Sequence, residues 1–115
     1  MTCYASSALS LEVVWTDRAK ARLRQLREYI ALDNPAAADA VAKGLLLRSK
    51  QLETAPRSGR RVPEYGRDDI RELFERPYRI VYALLSDRVD VIAVMHYRQL
   101  LPRDVEDLDD SVARC

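Results

Sequence analysis

The stretch ALDNPAA, residues 31–37, decides how the first half of the chain folds, because it separates two helical patterns. Asn34 can cap a helix with its side-chain oxygen, and Pro35 suits the first helical position, where its missing N–H costs no hydrogen bond. The link between the two patterns is short. It therefore predicts an antiparallel hairpin of two helices.

An apolar stripe at helical spacing lies on each side of this turn. The first helix is predicted to begin after Thr16, a potential N-cap, and to end near Leu32. Pro56 ends the second helical pattern. The first stripe consists of Ala19, Leu23, Leu26 and Ile30, and the second of Ala38, Val41, Ala42, Leu45, Ser49 and Leu52.

Short β-prone runs surround the helical hairpin. One run precedes it, and three follow a charged loop at residues 56–69 that contains Pro and Gly. The order β-α-α-β-β-β predicts an α+β domain in which the helical hairpin packs on one face of a small, mainly antiparallel sheet. The first strand is expected either at an edge or beside a central strand. The four runs are residues 11–15, 70–75, 78–85 and 89–96.

Length and composition favour one folded domain with uneven charge. The chain has 115 residues, 48% of them hydrophobic, which excludes a disordered protein. Its net charge of +1 excludes a uniformly basic coat for nucleic acid. Acidic residues concentrate near the C-terminus. We expect a flexible extension over residues 1–10, a domain over residues 11–103 and an acidic tail over residues 104–115, whose folding the sequence leaves open.

The remaining composition indicates a cytoplasmic protein without a cofactor. No apolar run approaches the roughly 20 residues that a membrane-spanning helix needs, and the N-terminus lacks the basic region of a signal peptide. Cys3 and Cys115 stand alone at the two ends, so we expect two free thiols and no metal site. Arginine greatly outnumbers lysine. This bias reflects either genomic composition or recognition of phosphate and carboxylate groups.

Six sequence pieces, taken in order, resemble the ParE/RelE superfamily of bacterial type II toxins over residues 11–103. The DNP turn, the PxxGR loop and the YRIVY strand are more similar to the ParE branch than to the RelE branch. The six pieces are Val14-Trp15-Thr16, Asp33-Asn34-Pro35, Pro56-x-x-Gly59-Arg60, Ile70-Arg71-Glu72-Leu73, Tyr78-Arg79-Ile80-Val81-Tyr82 and His96-x-Arg98.

The resemblance implies a toxin that is encoded beside a small antitoxin. ParE-type toxins are described as inhibitors of DNA gyrase that trap cleaved DNA, and RelE-type toxins as ribonucleases that cut mRNA on the ribosome. One fold serves both activities, so the fold does not choose between them. We expect a ParE-type inhibitor with a role in plasmid stabilisation, held by a ParD-like antitoxin in a hetero-oligomer. A RelE-like nuclease, or a chain that binds antitoxin but is no longer toxic, stays open.

The nuclease hypothesis would use Arg79, His96 and Tyr97, the positions that resemble the Arg, His and Tyr of some RelE-like ribonucleases. Such chemistry needs a base, an acid and a cation beside the phosphate. Each residue also has a structural alternative. His96 and Tyr97 should point to opposite faces unless the strand ends between them, and His96 fits the edge of the core. Arg79 could instead pair with Glu72 or Glu75 across the hairpin.

An inhibitor that acts by contact needs exposed side chains instead of a catalytic set. Three adjacent leucines in the second helix cannot all face one side, which predicts an outward surface for the antitoxin. The candidate antitoxin contacts are Trp15, Tyr29, Leu46 and Leu47. The candidate target contacts are Arg60, Arg61, Tyr65, Arg98, Leu100, Leu101 and Arg103. Leu100 and Leu101 could alternatively pack on the helical hairpin.

Overall fold

The helical hairpin around Asn34 forms as predicted in the computed structural model, which describes residues 11–109. Thr16 and Asn34 cap the two helices, since their side-chain oxygens accept hydrogen bonds from the backbone N–H groups of Ala19 and Ala37. In chain order the elements are β1 (Glu12–Trp15), α1 (Asp17–Ala31), α2 (Pro35–Lys50), β2 (Arg60–Arg61), β3 (Ile70–Glu75), β4 (Tyr78–Leu84), β5 (Arg88–His96) and α3 (Val105–Leu108).

The five strands form one sheet in the order β1-β5-β4-β3-β2. Strand β1 lies at an edge and runs parallel to β5, whereas the other neighbours are antiparallel. The predicted α+β class with a mainly antiparallel sheet is therefore confirmed. The count of four strands is wrong, because β2 lies inside the segment predicted as a loop. Two residues are too few to show an alternating pattern.

The face of the sheet toward α1 and α2, the helical face, is closed by apolar packing. Leu45 from α2 and Leu52 after it are fully buried against the central strands. This packing confirms that the helical hairpin covers one face of the sheet. The buried residues of this cluster are Leu11, Ala19, Leu45, Leu52, Leu73, Ile80, Tyr82, Leu84, Val89, Val91 and Val94.

The opposite face, the open face, carries a second apolar cluster that includes residues beyond position 103. Val105 and Leu108 are buried there, and Leu101 packs against the same cluster. Packing on the open face therefore includes residues of the stretch that the sequence predicts as an acidic tail. Leu101 packs on this face and not on the helical hairpin, whereas Leu100 stays 87% exposed. Residues 1–10 and 110–115, with the expected extension and the end of the tail, lie outside the described residues.

The loop that joins α2 to β3 is fixed at Gly59. The Tyr82 hydroxyl accepts a hydrogen bond from the Gly59 N–H at 3.0 Å and donates one to the Pro56 carbonyl at 2.9 Å. A Cβ on Gly59 would stand 2.5 Å from the Glu72 carbonyl oxygen and 2.6 Å from that hydroxyl. Only glycine fits this close approach. Across residues 11–109, no helix has the length and apolarity required to cross a bilayer.

Candidate contact surfaces

Arg79, the guanidinium of the nuclease hypothesis, is a buried ion-pair partner. Its side chain lies on the open face of β4, and the residue is only 4% exposed. One terminal nitrogen donates to Glu72 Oε1 at 2.9 Å and the other to the Gln99 carbonyl oxygen at 2.8 Å. The alternative that paired Arg79 with Glu72 is therefore confirmed, and Glu75 is not its partner.

Glu72 holds a second arginine as well. Its carboxylate is 1% exposed, and Oε2 accepts a hydrogen bond from Arg60 Nε at 2.7 Å. Each carboxylate oxygen thus faces one guanidinium, and Arg60, Glu72 and Arg79 together carry one net positive charge. Burial of a carboxylate is tolerable here because both oxygens are paired.

His96 and Tyr97 come together at the end of β5. The strand ends at His96, so the two rings do not point to opposite faces but stack at 5.0 Å between centroids. His96 is exposed, and the alternative that placed it at the edge of the core is wrong. It pairs in register with Tyr78, whose ring meets it edge-on at 6.0 Å. Tyr78 and Arg79 are adjacent in β4, so Arg79 faces the opposite side of the sheet from His96.

Three arginines alternate with two aromatic rings beside this stack, and we name the set the arginine row. Arg60 and Arg76 lie over the Phe74 ring at 5.2 and 5.5 Å from its centroid. Arg76 and Arg98 lie over the Tyr97 ring, each at 5.5 Å. Within residues 11–109, no carboxylate stands within ion-pair distance of Arg76 or Arg98. The arginine row therefore presents uncompensated positive charge to solvent.

Some of the candidate target contacts belong to the arginine row, and others pack within the domain or are exposed elsewhere. Arg60 and Arg98 belong to the arginine row, and Arg61 and Arg103 are exposed elsewhere. Tyr65 is half-buried and donates its hydroxyl hydrogen to the Pro102 carbonyl at 2.9 Å, and burial raises its pKa. Phe74 and Arg76 were missing from the prediction. Their positions read as strand and turn, and no sequence signal shows that their side chains meet Tyr97.

The candidate antitoxin contacts fall into two places. Trp15 and Leu46 line one groove of about 400 Å³ together with Lys20, Leu23 and Arg24. The Trp15 indole donates a hydrogen bond to Ser49 Oγ at 3.2 Å, which fixes the ring at the groove. We name this set the tryptophan groove. Two basic side chains line it, so it combines apolar surface with positive charge.

The other two candidates lie outside the tryptophan groove. Leu47 is 63% exposed on α2. Tyr29, 74% exposed, lines a separate cavity of about 560 Å³ beside Leu32 at the turn between the helices. Sequence reasoning missed Leu23 as a groove residue, since its helical spacing assigned it to the core stripe. Leu32 falls outside that stripe, a signal that could have marked it as a surface leucine.

The C-terminal segment, residues 103–109, is attached to the start of α1. The Thr16 hydroxyl donates to Asp109 Oδ2, and Asp109 is 3% exposed. Arg18 and Arg22 donate to the backbone carbonyls of Asp107 and Leu108 at 3.2 and 3.3 Å. The acidic stretch thus covers part of the open face and is held by a helix that belongs to the helical face.

Comparisons with known proteins agree with the architecture. Residues 13–101 match the family model described as the ParE toxin of the type II toxin–antitoxin system parDE. Toxin RelE2 of Caulobacter vibrioides is 36% identical over 93 residues, which cover 77% of this chain and 98% of that protein. A structure of a chromosomal ParDE system from P. aeruginosa aligns with a TM-score of 0.64 at 20% identity, covering 76% of this chain and 96% of the other. That last likeness concerns the fold alone.

Proposed function

Because this chain belongs to the ParE toxin family of type II toxin–antitoxin systems, we propose that it inhibits DNA gyrase by binding to it and that a ParD-like antitoxin neutralises it. Its role as the toxin of such a module follows from the family. Inhibition by contact, without cleavage of RNA, is the finer proposal. This finer proposal depends on which arginine side chains are exposed for contact with a target and which are already paired within the domain.

The burial of Arg79 is the observation that carries the proposal. A ribonuclease needs a cation that reaches the phosphorane as negative charge develops there. Arg79 has both terminal nitrogens engaged by Glu72 and Gln99 and is 4% exposed. Freeing it would leave a buried carboxylate with one partner fewer, which is strongly unfavourable. Arg79 is therefore better explained as a structural residue, and the exposed arginines as contact residues.

One observation favours the second candidate, a ribosome-dependent endoribonuclease. His96 is exposed and stacks on Tyr97, so an imidazole and a phenol are available side by side for proton transfer. The C. vibrioides relative carries the name RelE2. In this reading an exposed arginine of the arginine row would replace Arg79 as the cation.

Two assays on the purified full-length chain separate the candidates. The first measures DNA supercoiling by gyrase and the accumulation of cleaved DNA. The second measures mRNA cleavage on translating ribosomes. We expect inhibition of supercoiling at micromolar toxin, accumulation of cleaved DNA and intact mRNA. Cleavage of mRNA that His96→Ala abolishes, with supercoiling unaffected, would overturn the proposal.

The tryptophan groove is the proposed binding site of the antitoxin. Its apolar lining and its two basic residues suit an amphipathic segment that inserts a leucine or aromatic side chain and places carboxylates beside Lys20 and Arg24. Burial of one leucine contributes roughly 1.5–3 kcal/mol to such a contact. The exposed Leu47 extends the apolar surface of α2 beside Leu46.

Two leucine substitutions test this binding site. Leu46→Asp places a charge in the groove and should weaken antitoxin binding at least about tenfold, a change that calorimetry with the antitoxin encoded beside the toxin would measure. Leu100→Asp is the matched control, since Leu100 is also exposed but does not line the groove. If the antitoxin bound the two variants with equal affinity, the proposed binding site would be contradicted.

A further inference from the structure

The arginine row differs from ordinary exposed arginines in that its guanidinium groups are already held in place. Arg76 lies between Phe74 and Tyr97, within 5.5 Å of both ring centroids. Arg98 is fixed twice, over the Tyr97 ring and through a hydrogen bond from its Nε to the Tyr97 hydroxyl at 3.1 Å. Little side-chain freedom remains to be lost when a ligand binds, so the surface is preorganised.

The charge of the arginine row is arranged for a ligand with several anionic groups. Glu72 compensates Arg79 and shares Arg60, whereas Arg76 and Arg98 meet no carboxylate among residues 11–109. Each guanidinium carbon lies 5.2–5.5 Å from the centroid of an aromatic ring, and a guanidinium group can donate several N–H groups to phosphate oxygens. Three such groups separated by aromatic rings match a chain of phosphates better than one isolated anion.

The stacked pair of His96 and Tyr97 adds a recognition element of a different kind. The rings are nearly parallel, with 21° between their planes, and His96 is exposed at the end of the stack. An unpaired base can extend such a stack, which requires that the base has left its own duplex. An acidic peptide would satisfy the arginines but would leave this aromatic surface unused.

We propose that the arginine row and the stacked pair bind a single strand of nucleic acid, with guanidinium groups on its phosphates and His96 against an unpaired base. The assignment of that strand to DNA rests on the proposed function, since gyrase that has cleaved DNA exposes distorted strands beside a bound inhibitor. The chemistry of the surface does not depend on that assignment. DNA and RNA offer the same phosphates and bases, so direct binding distinguishes the two sources.

The test measures fluorescence anisotropy of a labelled oligothymidine of about 16 nucleotides with the full-length chain, over a series of salt concentrations. Contacts with about three phosphates predict a slope near −2 in a plot of log affinity against log salt. The double variant Arg76→Gln/Arg98→Gln should weaken binding about tenfold or more and reduce the magnitude of that negative slope by roughly 1.4. Tyr97→Leu should weaken binding at least about fivefold, and Tyr97→Phe should retain most of it.

Arg27→Gln is the control for charge, because it removes one positive charge, half of what the double variant removes, from an exposed position on the helical hairpin. It should leave the affinity within about twofold of the unsubstituted chain. Equal binding by the control and the double variant, or no binding of any single-stranded oligonucleotide at low salt, would overturn the proposal.

An oligouridine of equal length decides the source of the strand. Tighter binding of DNA, or equal binding, supports the assignment to gyrase-bound DNA. Binding of RNA alone supports the nucleic-acid surface and overturns its assignment to DNA. Gyrase inhibition that survives Arg76→Gln/Arg98→Gln undiminished would leave the proposed function standing and would overturn the DNA contact. The two proposals can therefore fail separately.

Discussion

The two faces of the sheet are formed by the same strands but differ in whether charged side chains are buried on them. The helical face buries an almost purely apolar cluster, with Leu45 and Leu52 pressed onto the strands by the hairpin. The open face buries Glu72 and Arg79 beside a smaller apolar cluster. The arginine row is joined to that ion pair through Arg60, and its other members lie at the end of β3, β4 and β5 that carries Phe74, Arg76 and Tyr97.

The difference follows from how much chain covers each face. Two long helices exclude water from the helical face, so a charge there would lose its hydration without a partner. A short C-terminal segment covers only part of the open face. An ion pair can therefore sit beneath the surface with charged residues above it. We infer that both faces contribute buried packing, whereas the open face alone also places charge for binding.

The substitution Glu72→Ala tests the buried charge on the open face and should have the largest effect. It leaves the nearly buried Arg79 without its carboxylate, and we expect the free energy of unfolding to fall by about 3–5 kcal/mol. Urea unfolding followed by circular dichroism measures the change. Asp39→Ala removes the partner of Arg27 in an exposed ion pair and should change stability by about 0–1 kcal/mol. Similar losses in the two variants would show that burial of Glu72 is unimportant.

A pair of leucine substitutions compares the apolar clusters directly. Leu45→Ala empties a site on the helical face and Leu108→Ala one on the open face, and both side chains are fully buried. Each should lower the free energy of unfolding by about 2–5 kcal/mol. The double variant should be additive within about 0.5 kcal/mol, because the two clusters lie on opposite sides of the sheet.

These two leucines also test the extent of the domain. A loss below about 0.5 kcal/mol for Leu108→Ala would be typical of a surface position. It would mean that the domain ends near residue 103, as the sequence suggested, and that α3 adds little to the open face. A large loss would establish the C-terminal segment as part of the core.

Local signals made the helical half of the fold predictable. The caps at Thr16 and Asn34 each bond a backbone N–H three residues further along the chain. The apolar stripes of α1 and α2 repeat at fixed spacing. Neighbouring sequence positions are therefore enough to predict both helices. Strand β2 escaped prediction because its residues are charged and it exists only through pairing with β3. The sequence left the folding of the acidic stretch open because Val105 and Leu108 are two apolar residues among carboxylates.

The sites were less predictable than the fold because they depend on where strands end. The pairing of Arg79 with Glu72 could be proposed from the sequence, since hairpin register brings nearby positions together. The stack of His96 on Tyr97 depends on β5 ending between the two residues. The contact of Arg76 with Tyr97 joins a turn to a strand end, and no periodic pattern reports such an arrangement.

Tyr82 offers a test of the loop contact at intermediate magnitude. Its hydroxyl joins the Gly59 N–H and the Pro56 carbonyl, and Tyr82→Phe should cost about 1–3 kcal/mol at neutral pH because a buried donor loses its partner. Burial raises the pKa of Tyr82 above its ordinary value of 10.0. The unfolded chain therefore releases this proton at lower pH than the folded chain does.

The direction of the alkaline effect follows from that difference. The contribution of the Tyr82 proton to stability is complete below pH 10.0 and is lost as pH rises through the raised pKa. Tyr82→Phe should therefore lose less stability between neutral and alkaline pH than the unsubstituted chain does, as measured by urea unfolding at both pH values. Tyr29→Phe, at a 74% exposed ring, is the control. An alkaline loss unchanged by Tyr82→Phe would contradict the contribution of this hydroxyl.

The smallest expected effect tests whether the two faces are linked through Thr16. Its hydroxyl caps α1, which belongs to the helical face, and also donates to Asp109, which belongs to the cover of the open face. Asn34 caps α2 without such a second contact in the described structure. Thr16→Ala should therefore lower the free energy of unfolding by about 1–2 kcal/mol and Asn34→Ala by about 0.5–1 kcal/mol.

A double-mutant cycle isolates the link from the cap. Thr16→Ala and Asp109→Ala should be non-additive by at least about 0.5 kcal/mol in urea unfolding, because either change alone breaks their hydrogen bond. Asn34→Ala and Asp109→Ala should be additive, since these residues belong to separate contacts. Additivity in both cycles would mean that the Thr16 hydroxyl does not help to hold the C-terminal segment, which is also held by the packing of Val105 and Leu108 and by hydrogen bonds from α1. The hydroxyl of Thr16 would then serve the helix and not the connection between the faces.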